Sequence, residues 1–496
     1  MRLHTSGTGR RVAALRTIAT VLLTVLAGCS WQDLVKAKLP PTTADPEALK
    51  TEEGAISLYH GAIHAFRRGF GGANTGYVVI AGRLSDELTT GAYATGDIAP
   101  MQPGSLDEID ARDMPEDAIL RSTTVESWYR LMNMGRNQAV DAIFYLRNYA
   151  PLQPKDLVGH MFAIRGLTMT YLADFFCSGI PLTNYTSPGG YEYEPGISTD
   201  SVYKRAVAEY DSALANVGDS LNFKYLAEVG KARALLDLGK FQEAAAAVQD
   251  VPTDFVYKAR YAVDYVGSFS NNWVWGVPTY TDPENGFGTI GDREGINGLP
   301  FVSSHDPRVP LISSPIQSTT YPLTNYTLPA WMFPNDNFWH GTSTKPKNGE
   351  DIVVASGIEA RLAEAEAKAN AGDASFLTIL NTLRTSCTDA ATCPDPAPAG
   401  TGGVAGLPPL TDPGDQKARI KMVYDERAYW TFLTGIRQGD LRRLVRVYGW
   451  PQDEVYPTGP YPIGAAQAYG RYTNVPIPNT ERAINQQYKG CINRDA

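Results

Sequence analysis

The chain has 496 residues, 43% of them hydrophobic and 10% aromatic, which is enough for one large domain or several average ones and enough apolar mass for a sizeable core. Its net charge is −9, and the only dense basic cluster beyond the N-terminus is Arg442, Arg443 and Arg446, which argues against nucleic acid as a partner.

The N-terminus reads as a leader. Arg2, Arg10, Arg11 and Arg16 precede an uncharged run from Thr17 to Ala27 that ends in Leu26-Ala27-Gly28-Cys29. A basic segment, a short apolar segment and small residues at the end predict a signal peptide over residues 1–28, and the run is too short to span a bilayer well. Leu-Ala-Gly-Cys resembles a bacterial lipobox, which implies acylation of Cys29 and an anchor at a membrane surface. Ser30 is not an acidic inner-membrane retention signal, which favours the outer membrane. Residues 29–46 form the tether, with Pro40-Pro41 holding it extended. Four cysteines remain: Cys177, Cys387, Cys393 and Cys491. In an oxidising compartment an even number reads as disulfides, with three possible connectivities. Cys387 and Cys393 are close in sequence and loop-bound, so the expected pairs are Cys387 with Cys393 and Cys177 with Cys491.

From Pro46 the chain is predominantly helical by its periodicity. Leu49, Ile56, Tyr59, Ile63 and Phe66 share one side of a first helix that ends at Gly69, Gly71 and Gly72. A second helix over Gly76 to Leu88 leads into Ser85-Asp86-Glu87 and a Gly-, Pro- and acid-rich loop, Thr89 to Pro115. Glu116 to Ala150 predicts a long helix with a break, and Pro154 to Phe176 another, which Pro181 forces into an extended exit. Thr199 to Val217 is a helix capped by Ser198, Asp200 or Ser201. Lys224 to Val251 reads as helix, Leu238-Gly239-Lys240-Phe241, helix, the turn pattern of a tetratricopeptide hairpin. A similar hairpin spans Ile358 to Ser386 with Ala371-Gly372-Asp373 as its turn.

Between these hairpins, about 265–351, helical periodicity vanishes and Gly, Pro, Asn, Ser and Thr dominate. Trp273, Trp275, Trp331 and Trp339, four of the eight tryptophans, lie here with Tyr280, Phe287, Phe301, Tyr321, Tyr326, Phe333 and Phe338. Thr388 to Gly414 reads as a low-complexity surface loop. The last helical stretch, Met422 to Arg446, mixes one apolar face (Val423, Tyr424, Ala428, Trp430, Leu433, Ile436) with Asp425, Glu426, Arg427, Arg437, Asp440, Arg442 and Arg443. Gly435 is expected to stop the helix and Gly439 to open a second turn. Charges so near a core must pair or reach water.

That stretch resembles the C-terminal signature of the SusD/RagB family of nutrient-binding lipoproteins, here Glu426-Arg427, Gly435-Ile436-Arg437 and Asp440-Leu441-Arg442-Arg443. Thr434 departs from it where the family often has an acid. Ser85-Asp86-Glu87, the run Tyr171 to Leu182 with Gly179-Ile180-Pro181-Leu182, Asp306-Pro307-Arg308, and Val475-Pro476-Ile477-Pro478 with Asn485 are similar to other family segments. The resemblance implies a mostly α fold: a right-handed stack of tetratricopeptide-like hairpins over 47–264 and 352–450, and a loop-rich lobe over 265–351, forming one domain over 47–496. It also implies a lipid-anchored protein that caps a TonB-dependent (SusC-like) β-barrel transporter at the outer membrane and delivers an oligosaccharide or other nutrient to it without covalent chemistry.

No Gly-x-Ser-x-Gly, His-Glu-x-x-His or phosphate-loop pattern occurs, and no spacing suits zinc or a cofactor. Ser304-His305-Asp306 holds triad residue types as neighbours, whereas a triad is assembled from distant positions. Acid pairs such as Asp86-Glu87 and Glu350-Asp351 leave open a surface glycan hydrolase. A helical-repeat envelope scaffold without a ligand is the third reading. Binding is favoured because aromatic rings stack on the apolar faces of sugars while Asn and Asp take the hydroxyls. The expected contacts are Trp331 and Trp339, which flank Pro334-Asn335-Asp336-Asn337, with Asn337 itself, Trp273, Trp275, Tyr280 and, by the family resemblance, Tyr93. Trp128 and Trp430 sit in helix patterns and are expected in the core.

Overall fold

A computed structural model describes residues 47–72, 76–89, 106–115, 123–186, 190–261, 289–309, 311–314, 326–329, 351–386, 407–461 and 468–495. The elements in order are α1 (Glu52–Phe70), α2 (Tyr77–Leu84), β1 (Leu88–Thr89), α3 (Leu106–Asp110), α4 (Thr123–Tyr149), α5 (Asp156–Phe175), β2 (Asn184–Thr186), β3 (Gly190–Glu192), α6 (Thr199–Leu214), α7 (Leu221–Asp237), α8 (Phe241–Val248) and β4 (Val256–Ala259). They continue as β5 (Thr289–Ile290), β6 (Leu311–Ser314), β7 (Tyr326–Pro329), β8 (Ile352–Ser356), α9 (Gly357–Asn370), α10 (Phe376–Ser386), α11 (Gln416–Trp430), α12 (Arg437–Arg446), α13 (Gln452–Val455) and α14 (Asn479–Ile484). The strands form four two-stranded antiparallel pairs, β1–β5, β2–β3, β4–β8 and β6–β7, so the chain is mostly α.

Helix starts fall where short polar side chains satisfy the first free amides. Thr51 caps α1, Ser198 caps α6, Ser356 caps α9 and Asp415 caps α11, each accepting a hydrogen bond from an amide three residues on. Successive helices then stack: α1 on α4, α4 on α5, α5 on α6, α6 on α7, α7 on α8, α8 on α9, and α9 on both α10 and α11. The two hairpins expected from sequence are α7–α8 and α9–α10. Their turns carry Gly239 and Gly372 at φ +70° and +73°, a region open to glycine at no steric cost. Close approach needs glycine as well: a Cβ on Gly166 would stand 2.7 Å from the Tyr210 ring, where α5 meets α6.

One large apolar cluster runs through α1, α2, α4, α5, α6 and α7, and a second joins α9, α10, α11 and α12. Trp128 is fully buried against Tyr77, Phe175 and Phe176, as its helix pattern predicts. Trp430 is buried in the second cluster.

Of the helix with a break expected over Glu116 to Ala150, the part from Thr123 to Tyr149 is one continuous helix, and residues 116–122 lie outside the described residues. Two expectations need correction. α11 ends at Trp430, earlier than the apolar pattern suggests, so Leu433 (φ +53°) and Ile436 belong to the connection; both are still buried, which is why the periodicity carried through. Gly439 opens no turn. It lies inside α12, where a Cβ would stand 3.0 Å from the carboxyl carbon of Asp174, and its role is to let α12 approach α5.

At the end of α5 the chain turns extended, as Pro181 requires. Val475 lies beside it: Val475 N donates to Phe175 O at 3.0 Å, and Cys177 N donates to Val475 O at 2.9 Å. Cys177 and Cys491 are disulfide-bonded with Cα atoms 5.8 Å apart, closing a loop of sequence separation 314. The expected Cys387–Cys393 pair and Cys29 lie outside the described residues. The bond ties the last segment of the chain to the core helix α5. Replacing Cys177 and Cys491 by alanine is expected to destabilise the fold by about 2–4 kcal/mol, read as a lower guanidinium midpoint. An unchanged midpoint would show that the non-covalent contacts of residues 468–495 suffice.

Candidate ligand-binding site

Trp273, Trp275, Tyr280, Trp331, Asn337, Trp339 and Tyr93 all lie outside the described residues. What the structure does place is the base of each segment that carries them. Tyr93 follows Thr89, the end of β1, by four residues in sequence; Trp273, Trp275 and Tyr280 precede Thr289, the start of β5; Trp331 follows Pro329, the end of β7, by two. β1 pairs with β5 through Leu88↔Ile290 and Thr89↔Thr289, and β5 packs beside β7. Segments far apart in sequence are therefore rooted on one small anchor. Pairing strands are a stiff base for loops, and loops on a rigid base are where binding groups concentrate.

The anchor is fastened to the helices by buried charge. The Arg437 guanidinium, at the start of α12, grips Asp86 with two hydrogen bonds of 2.8 and 2.9 Å, and Leu299 N donates to the same carboxylate at 3.0 Å. Glu87 accepts Leu433 N at 2.9 Å through its side chain and Gly291 N at 3.0 Å through its backbone carbonyl. Ser85-Asp86-Glu87 thus holds β1, the 289–299 segment and the α11–α12 connection together. A second clamp lies nearby. Arg308 binds Glu426 of α11 at 2.7 Å and Asp306 at 2.7 Å, Arg384 reaches Glu426 at 2.6 Å, and Trp430 Nε1 donates to Glu426 at 3.1 Å. Phe301 packs on Tyr429 and Phe432 at 5.4 and 4.9 Å between ring centres.

Burial pushes the Glu87 carboxyl up to about 8, with the Asp86 charge adding to the effect and the Leu433 amide opposing it. Glu294 is also pushed well up by burial and by the Asp110 and Asp86 charges. Around it, Thr89 and Tyr461 donate to Asp110 at 3.2 and 2.7 Å, Tyr469 donates to Glu294 at 3.3 Å, and Arg112 lies over the Tyr456 and Tyr469 rings. These groups were not singled out from sequence, because single acids and arginines in loops carry no local pattern.

The acids here are structural. Asp86 is taken by Arg437 and Glu87 is sealed in, so the pair offers no acid and base to a glycosidic bond. In Ser304-His305-Asp306 the Asp306 carboxylate is committed to Arg308, and the Ser304 hydroxyl oxygen accepts Asp306 N. Among the described residues no group of three or more His, Cys, Asp or Glu could hold a metal ion. Among the same residues no helix is long and apolar enough to cross a membrane.

Neither a family model nor a curated protein matches this chain in sequence. Solved structures do match its fold. A SusD-like carbohydrate binding protein from Bacteroides vulgatus superposes with a TM-score of 0.61 at 14% identity, covering 88% of this chain and 97% of that one. A SusD superfamily protein from Bacteroides fragilis gives 0.59 at 14% identity, covering 88% and 99%. A structure described as a laminarin binding SusD-like protein gives 0.58 at 14% identity, covering 89% and 99%. The chain shares the fold of these SusD-like structures, over nearly the full length of each.

Arg437→Ala removes the counter-charge of a buried carboxylate and is expected to cost about 3–5 kcal/mol in urea denaturation. The double change Arg437→Met with Asp86→Asn is expected to recover part of that loss. Glu87 sets a pH dependence of definite sign. Its folded value of about 8 stands above its ordinary 4.5, so the folded state holds the extra proton between them. Its contribution is intact below pH 4.5, and is lost progressively as pH rises through about 8. Glu87→Gln is accordingly expected to stabilise the fold relative to the parent more at pH 9 than at pH 5, by an amount on the order of a few kcal/mol; equal effects at both pH values would show that Glu87 is ionised in the fold.

Proposed function

We propose that this protein is a non-catalytic, lipid-anchored nutrient receptor of the SusD/RagB type, attached through Cys29 to the outer membrane. In this reading it captures an oligosaccharide with its aromatic loops and passes it to a TonB-dependent β-barrel transporter. The observation that carries the reading is the shared base of the loops. β1, β5 and β7 root three separate segments that between them hold Tyr93, Trp273, Trp275, Tyr280, Trp331, Asn337 and Trp339. Rings supplied from one rigid base can stack on a sugar with little ordering cost, which is the physical requirement for useful affinity. The SusD-superfamily fold supports it, as do neighbours whose descriptions name carbohydrate binding. Arginines held in ion pairs and acids held by arginines support capture over hydrolysis, since the chemistry of glycoside cleavage needs two free carboxyl groups at a set separation.

The test is binding of the purified chain, without its leader, to a panel of soluble polysaccharides and their short oligosaccharides, laminarin among them. Trp331→Ala with Trp339→Ala is expected to weaken the oligosaccharide that binds by at least about tenfold while leaving the melting temperature near that of the parent. No reducing ends should be released. Turnover of the glycan, or full affinity in the double variant, would overturn the proposal. Co-purification of a β-barrel transporter with the full chain from outer membranes tests the delivery step.

A further inference from the structure

Away from the β1–β5 anchor, the β2–β3 hairpin presents a row of tyrosines. Tyr185 and Tyr191 are cross-strand partners and Tyr193 follows Tyr191 by two residues, so strand alternation puts all three on one face. The ring centres are 5.2 Å apart for Tyr185 and Tyr191, and 6.4 Å apart for Tyr191 and Tyr193, whose planes differ by only 24°. Tyr191 is 59% exposed and Tyr193 38%, and neither hydroxyl has a hydrogen-bond partner among the described residues. Large rings set in register and left in water are unusual on a two-stranded hairpin, which has no second layer to cover them.

The hairpin is firmly held. Arg136 of α4 donates to Thr183 O just before it. Just after it, Gln487 donates to Tyr193 O at 2.6 Å, Asn485 donates to Glu194 O at 2.8 Å, and Arg205 of α6 pairs with Glu194 at 2.6 Å. The rings are therefore displayed from a fixed backbone by α4, α6 and the C-terminal segment. None of these elements carries the aromatic loops.

We propose that this face is a second carbohydrate contact, which takes the pyranose faces of a longer glycan chain while the aromatic loops hold its end. The proposal rests on the glycan-binding reading above. Three partly exposed tyrosines offer on the order of 300 Å² of ring surface, well below the roughly 800 Å² that each partner of a stable protein complex buries. The hairpin's own charges, Glu192 and Glu194, are acidic, which disfavours anionic lipid and nucleic acid. A neutral molecule with flat apolar faces and hydroxyl edges matches both the rings and the exposed hydroxyls of Tyr191 and Tyr193. The Tyr191–Tyr193 spacing is comparable to the length of one sugar unit along a chain. Two contacts on one polymer act as linked sites, so the second raises the affinity for long chains without altering that for short ones.

The experiment compares a polysaccharide with its short oligosaccharide by calorimetric titration of the parent, of Tyr191→Ala with Tyr193→Ala, and of Trp331→Ala with Trp339→Ala, each checked for unchanged circular dichroism. The tyrosine variant is expected to lose about tenfold in polysaccharide affinity and to keep the oligosaccharide affinity within about twofold. Unchanged polysaccharide affinity overturns the second contact and leaves the main reading standing. Equal losses for both lengths overturn it too, since the face would then belong to a single site. A parent that binds neither length removes both proposals.

Discussion

The Arg443 guanidinium is the junction on which the helical scaffold closes. It donates to Glu366 of α9 at 2.8 and 2.9 Å, to Asp237 of α7 at 2.8 Å and to Asp440 of its own helix at 2.7 Å. Arg427 of α11 holds the same Asp440 by two hydrogen bonds of 2.9 Å. All five groups are buried. Removing such charges from water is costly, and the cost is met only if every ion has partners in good geometry. Arginine suits this place because its planar fork can reach three carboxylates at once, which an ammonium on a flexible stem cannot do with comparable order. A misplaced α7, α9 or α12 would leave an unpaired buried charge, so the network selects one arrangement of helices where apolar packing alone would tolerate several.

The same device is repeated outward to the loops. Arg437 with Asp86 joins α12 to the turn before β1, and Arg308 with Glu426 joins the 301–309 segment to α11. Arg233 with Glu359 joins α7 to the start of α9, next to β8. Irregular segments bury little continuous apolar surface, so they cannot be positioned by a core of their own. Directional, charge-assisted bonds to a rigid helical frame fix them instead. Thr434 fits this pattern from the other side. Where an acid is often found in the resembling family, its hydroxyl donates to Thr431 O at 2.6 Å and closes the connection locally, without an ion pair.

Much of the scaffold was legible in the residues. The hairpin turns at Gly239 and Gly372, the cap at Ser198, one of three candidates, the extended exit at Pro181 and the core placement of Trp128 and Trp430 all follow from local rules that the structure obeys. The pairing of Cys177 with Cys491 was also correctly expected. Misreadings arose where a local rule met a tertiary demand. Gly439 reads as the opening of a second turn, yet it is kept inside α12 because Asp174 leaves little room for a side chain. The apolar period over Leu433 and Ile436 reads as continuing helix because those residues are buried in the connection as deeply as they would be in α11.

For the site, the residue types and their concentration in three segments were visible as composition, but their common base was not. β1, β5 and β7 are two to four residues long, too short for any periodic signal, and lie about 240 residues apart at the extremes. The tyrosine row of β2–β3 escaped notice for the same reason, since only cross-strand register puts Tyr185 and Tyr191 side by side. The amino-acid sequence by itself determined helices, turns, caps and the chemical character of the loops, because these depend on neighbours a few residues apart. Tertiary structure alone decided which charges became partners, which loops share a foot and which rings share a face, because such choices are made by contacts between residues the chain brings together only when it folds.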